Sequence, residues 1–149
     1  MFNEELKVTG DVSVVITDKD GNVKDTRTIK NLVVSAGKTF IAAAMLKTTT
    51  NSPAAMTHMS IGAGAVAAAA GDTALGSELG RVSLASATSS GAVVTYTASF
   101  PAGTGTGAVT EAGIFNASSA GTMLCRTVFA VVNKGVDDAM SITWAITVS

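Results

Sequence analysis

The chain has 149 residues, a formal net charge of −1 and 14 % charged residues. That length fits one domain with a sizeable core, and the charge balance supplies neither the basic field that draws nucleic acid nor the polybasic segment that draws an anionic membrane. A single cysteine excludes an internal disulfide, and Thr, Ser and Gly interrupt every uncharged run before it reaches the ~20 apolar residues of a membrane-spanning helix.

Residues 1–10 read either as a flexible arm or as a first strand, with Phe2, Leu6 and Val8 as their only anchors. Their acidic start lacks the basic and apolar stretches of a signal peptide, so synthesis in the cytoplasm of the producing cell is expected. Val12, Val14 and Ile16 then alternate with Asp11, Ser13 and Val15. Asp18-Lys-Asp-Gly21 turns the chain and 23–29 returns with alternating polar residues, which is the pattern of a β-hairpin. Asp18, Asp20, Asn22 and Asp25 are of calcium-ligand type. The loop lacks the bidentate Glu and the length of an EF-hand, and Asp and Gly are what such a turn needs in any case.

Asn31-Leu-Val-Val34 leads to Ser35, an N-cap residue type, and to a helix over 36–47 whose apolar stripe is Phe40, Ile41, Ala44 and Met45. This is the one proper helix, and it either closes an end of a sandwich or crosses its face. A polar loop at 48–53 and a short strand at 56–61 come next. The Gly/Ala-rich connection 62–80 has too little side-chain volume to make its own core, so it must lie on something else.

From Arg81 onward the pattern is of antiparallel strands at 82–87, 93–100, 109–115, 123–132 and 140–148. They are separated by a Ser-Ser-Gly turn at 89–91, a glycine-rich loop at 101–107 and turns at 116–122 and 133–138. The last strand is the most regular: Met140, Ile142, Trp144, Ile146 and Val148 alternate with Ser141, Thr143, Ala145, Thr147 and Ser149. Burying those five side chains contributes at most on the order of 10 kcal/mol, which makes it a core strand. The expected fold is mainly β, an antiparallel β-sandwich or jelly-roll-like domain spanning 1–149 with one short helix.

Charge is unevenly placed. Of ten basic and eleven acidic residues, thirteen precede Thr48 and none falls between Arg81 and Glu111. Either a partner covers much of the later strands' outer surface, or that surface is a Thr/Ser coat with no partner.

Few residues carry chemistry. Gly37-Lys38-Thr39 matches the end of a phosphate-binding loop, but Leu32 stands where its first glycine is required. Gly62-Ala-Gly-Ala-Val-Ala67 matches a loose dinucleotide pattern, yet the strands beyond are antiparallel and that site needs a parallel sheet. His58, the sole histidine, has no nucleophile elbow to serve, and one His with one Cys cannot hold a structural zinc. It reads as a structural histidine, and Cys125, among Met123, Thr127 and Phe129, as a small buried hydrophobe. Glu111, an acid inside a strand, pairs with Arg81 or Arg126 or faces solvent. Phe40, Tyr96, Phe100, Phe115, Phe129 and Trp144 sit at core positions, which leaves Phe2 as the exposed ring and argues against stacking on bases or sugars. No catalytic, cofactor-binding or metal-binding residue is assigned, and no cofactor is expected.

Three stretches resemble a family of small structural proteins of tailed-bacteriophage virions: 20–37, in which Asp20-Gly-Asn-Val-Lys24 runs to Lys30-Asn-Leu-Val-Val-Ser-Ala-Gly37; 61–75, from Ile61-Gly-Ala-Gly64 to Gly71-Asp-Thr-Ala-Leu75; and Thr110-Glu-Ala-Gly-Ile-Phe115 with Gly121-Thr-Met-Leu-Cys-Arg-Thr-Val-Phe129. The resemblance implies a β-sandwich or jelly-roll subunit that works by assembling. Its expected role is a non-enzymatic capsid decoration (cement) protein, a homotrimer on the virion surface between major capsid subunits, with no nucleic-acid or membrane partner. The alternative is a tail, collar or fibre module involved in host-receptor attachment.

Overall fold

The computed structural model describes residues 4–47 and 52–149; the expectations for Phe2 and for most of the loop 48–53 lie outside them. The hairpin pattern gives β1 (Val8–Thr17) and β2 (Val23–Lys30), followed by a two-residue β3 (Leu32–Val33) and the helix α1 (Ser35–Ala44). Next come β4 (His58–Gly62), β5 (Glu78–Ser83), β6 (Ser86–Ser90) and β7 (Val93–Phe100). The chain ends with β8 (Gly107–Phe115), β9 (Met123–Lys134) and β10 (Ala139–Val148). The strands form two antiparallel five-stranded sheets, in the orders β2-β1-β10-β7-β6 and β3-β9-β8-β4-β5. This is the β-sandwich that the two-residue periodicity called for.

β10 lies at the centre of the first sheet, with Trp144 level with Val12 on one side and Tyr96 on the other. Its Met140, Ile142, Trp144 and Ile146 are buried, and Val148 is half-buried. Facing them from the second sheet are Met59, Ile61, Val109 and Ile114, each fully buried.

Two short switch points join the sheets along their edges. The N–H of Leu84 donates to Thr57 O on the second-sheet side (2.9 Å), and the next N–H, of Ala85, donates to Thr97 O of β7 in the first sheet (2.7 Å). The single strand expected over 82–87 is therefore split into β5 and β6, because its backbone changes partner at that step. Asn31 makes the same passage on the other side. Its N–H bonds Gly10 O at 3.1 Å, while Leu32 already pairs with Arg126. The next hairpin turns through Gly91, with φ +57°, and Ala92, so the Ser-Ser-Gly turn expected at 89–91 keeps its glycine while its two serines end β6.

The helix starts differently from the sequence expectation. Ser35 is its first residue rather than its cap. Val34 holds the cap position in extended backbone with no side-chain cap, and the Ser35 N–H is taken by Ala70 O at 2.7 Å. Its contact residue is also different. Phe40 and Ile41 are half-buried against the core, but Ala44 and Met45 are exposed, and the one buried residue is Gly37. A Cβ at Gly37 would lie 1.9 Å from Leu124 O, so glycine is what lets α1 lie on β9. The helix packs on β9 of the second sheet and turns Phe40 and Ile41 toward the core between the two sheets. Residues 123–127 of β9 are buried on both sides of the strand, Cys125 among them.

Candidate functional site

The most elaborate polar arrangement is built around Glu111. A register shift between Val109 and Glu111 in β8 places this residue opposite Val128 of β9 and Gly62 of β4. Its carboxylate is fully buried beneath the connection 63–77. Oε1 accepts the backbone N–H groups of Gly64 and Ser77, each at 2.8 Å, and Oε2 accepts that of Gly76 at 2.9 Å. Oε2 also accepts Nε (3.0 Å) and Nη2 (2.8 Å) of Arg126. The remaining arm of Arg126 donates from Nη1 to Asp72 Oδ2 at 2.8 Å, which in turn accepts the Ala69 N–H at 2.9 Å.

Close approach explains the glycines. A Cβ at Gly62 or Gly64 would stand 2.6 or 2.5 Å from Glu111 Oε1. The Gly62-Ala-Gly64 fragment that imitates a dinucleotide motif thus packs against the chain's own carboxylate and gives it one backbone N–H, that of Gly64. The expectation that 62–80 must lie on another element is met, with Glu111 and Arg126 as its seat; residues from Glu78 onward belong to β5. Of the alternatives open for Glu111, the partner is Arg126. Arg81 instead stacks its guanidinium 3.8 Å from the centre of the Phe115 ring and donates to Ala117 O and Ala120 O.

Electrostatics match the geometry. Burial alone would push the Glu111 carboxyl up. The Ser77 and Gly76 N–H groups, Arg126 and the Gly64 N–H outweigh it and hold the group below the ordinary carboxylate range. Asp72 is held low chiefly by the Ala69 N–H, against the opposing effect of burial and with help from Arg126. With five donors on two oxygens, Glu111 has no lone pair left for a substrate. Chemically the arrangement is a latch that fixes a side-chain-poor loop to the second sheet.

A second polar station went unforeseen. Lys134 is buried at the inward-facing end of β9 and donates to Pro101 O (2.9 Å) and Asp138 O (2.7 Å). Asp138 accepts Lys24 Nζ and the Gly135 N–H, both at 2.7 Å. Burial pushes the Lys134 amine down, opposed by Asp138. The sequence signal was a lysine in step with Val132, on the strand's apolar phase.

The other candidates are accounted for by their neighbours. His58 is half-buried between two hydroxyls, Thr57 Oγ1 at 2.8 Å from Nδ1 and Ser83 Oγ at 3.4 Å from Nε2, with no acid on either nitrogen. Cys125 is fully buried, which pushes its thiol far up and leaves it inert as a nucleophile. Asp18 Oδ1 accepts the N–H groups of Asp20 and Asn22, each at 2.9 Å, so its oxygens close the turn. At Gly37 the backbone is pressed against Leu124 O of β9. Tyr96 and Phe40 are half-buried, and Phe100, Phe115, Phe129 and Trp144 are buried, as their periodic positions require.

What faces solvent is plain by contrast. The outward side chains of β10, β7 and β6 are in register, with Thr143 beside Thr97 and Ser86, and Ala145 beside Thr95 and Thr88. The result is an uncharged hydroxyl face, within which Ser86 Oγ and Thr97 Oγ1 bond at 2.5 Å. An open groove of about 560 Å³ lies between residues 5–9 and α1, lined by Leu6, Ile41 and Met45 among others. Among the described residues no group of three or more His, Cys, Asp or Glu side chains is placed to hold a metal ion. The chain matches no protein-family model, no curated protein and no solved structure.

Proposed function

We propose that the protein is a non-enzymatic structural subunit of a bacteriophage particle, a decoration (cement) protein that seats between major capsid subunits as a trimer on the outer surface of the head. The observation that carries the reading is the contrast between interior and surface. The buried charged groups among the described residues, Glu111, Arg126, Lys134 and Asp138, are consumed in holding loops. Meanwhile three adjacent strands present hydroxyls and methyls without a charge. The likeness of three stretches to small tailed-phage virion proteins supports the same reading. A subunit that binds the mature lattice and not its precursors lowers the free energy of that lattice by mass action and so resists internal pressure.

The test uses expanded capsids that lack the protein. Purified protein added to them is expected to bind in a fixed ratio to the major capsid protein and to raise the temperature at which the shells open. Binding of only a few copies per particle, or adsorption of the isolated protein to host cells, would favour a tail or fibre role instead.

A further inference from the structure

Four strands end the two sheets, and three of them are protected. β2 alternates Lys24, Asp25, Arg27 and Lys30 along its length, with Arg27 reaching Val131 O at 3.3 Å. β3 has two residues. β5 carries the Glu78–Arg81 ion pair (2.7 Å) and a register shift against β4. β6, Ser86-Ala-Thr-Ser-Ser90, has none of these features. All five residues are exposed, the strand runs in unbroken register with β7, and no charged residue lies between Arg81 and Glu111. Edges of natural sheets are normally blunted by lysine, proline, bulges or brevity, because an open row of N–H and C=O groups templates pairing with another chain.

We infer that β6 is a self-association edge, which pairs antiparallel with β6 of a second copy across a two-fold axis and extends the first sheet from five strands to ten. The chemistry favours a second copy over a charged partner. The edge offers no counter-charge to select an acidic or basic strand, and two identical neutral edges meet without repulsion. The sequence is self-complementary about Thr88. In that register Ser86 faces Ser90 of the second copy, Ala87 faces its Ser89, and Thr88 faces its own equivalent on the axis. Directly opposed residues in an antiparallel pair share a face. Ser86, Thr88 and Ser90 lie on the side of Thr97, Thr95 and Val93, so the hydroxyl face of one copy runs on into the other. A five-residue pairing is well below the ~1,200 Å² of stable interfaces, so the free dimer is concentration-dependent. The inference rests on the edge alone and concerns the free chain in solution, a pairing separate from the trimeric arrangement proposed on the capsid lattice.

The experiment uses the full chain and three variants. Wild-type protein in sedimentation equilibrium is expected to shift from monomer to dimer between about 10 µM and about 1 mM, the range for a small interface. Thr88→Lys, which sets two ammonium groups against each other on the axis, should abolish the shift with an unchanged circular-dichroism spectrum. Thr88→Cys should form a disulfide dimer under mild oxidation, because opposed Cα atoms are then about 4.5–5.5 Å apart. Ala87→Cys should not, since its equivalents are offset along the strands beyond bridging distance. Buried Cys125 gives no background. A wild type that stays monomeric to about 1 mM, a Thr88→Lys variant that still dimerises, or an Ala87→Cys variant that cross-links as fast as Thr88→Cys would overturn the assignment.

Discussion

Replacing Glu111 by Gln keeps the side chain's size, removes its charge and leaves buried donors facing one another. Oε1 faces two backbone N–H groups, while Oε2 faces a third and two nitrogens of Arg126. Whichever way the amide is turned, its NH₂ points at donors. Arg126, itself buried, keeps only Asp72 as a counter-charge. Removing one partner of a buried ion pair costs about 3–5 kcal/mol, which for a chain of this size lowers Tm by roughly 10 °C. Urea unfolding followed by the fluorescence of Trp144, the one tryptophan and fully buried, reads the loss directly. Combining it with Arg126→Met should show a coupling of at least ~1 kcal/mol, since the second change removes a charge already stranded by the first. A loss below ~1 kcal/mol for Glu111→Gln, or strict additivity in the double variant, would refute the latch.

The carboxyls of Glu111, Asp72 and Asp138 are all held below their ordinary values, Asp138 first by Lys24 and then by the Gly135 N–H. A depressed acid adds stability that is complete above its unfolded pKa of about 4 and is lost as pH falls through the folded value. The urea midpoint should therefore hold from neutrality to about pH 5, fall steeply below pH 4, and fall less steeply in Glu111→Gln. Gly37→Ala should destabilise by about 1–3 kcal/mol, although alanine is the better helix former, because the obstacle 1.9 Å away is backbone; an unchanged Tm would contradict the packing of α1 on β9. Trp144→Ala should cost about 3–5 kcal/mol, checked by chemical denaturation, with a smaller loss meaning that β10 is not the centre of the core.

The strands were legible because half-buried antiparallel strands write their faces into alternate residues. β1, β2, β7 and β10 obey that rule, and their boundaries fell within a few residues. β5 and β6 did not separate on sequence, since the switch at Leu84–Ala85 is a change of backbone partner that no side chain announces. The helix was found but its contact was not. A hydrophobic stripe points to Phe40 and Ile41, whereas the closest approach runs through Gly37, where the absence of a side chain is the feature. Glu111 was visible as an acid out of place on a strand, and its arginine was among the partners named. The three N–H donors, of Gly64, Gly76 and Ser77, were hidden because backbone amides have no residue identity. Asp72 passed unremarked for a similar reason: its role depends on a loop that folds back to bring it onto the arginine that holds Glu111.

The proposed role has this molecule covering and joining a larger shell with a neutral β-sandwich surface. Its most direct measurement is an electron cryomicroscopy map of the particle that encodes the protein. The expected result is this sandwich at repeated lattice positions over the whole head, in contact with major capsid subunits on its outer side. Density for it at a single vertex or along the tail, or its absence from purified particles, would contradict that role.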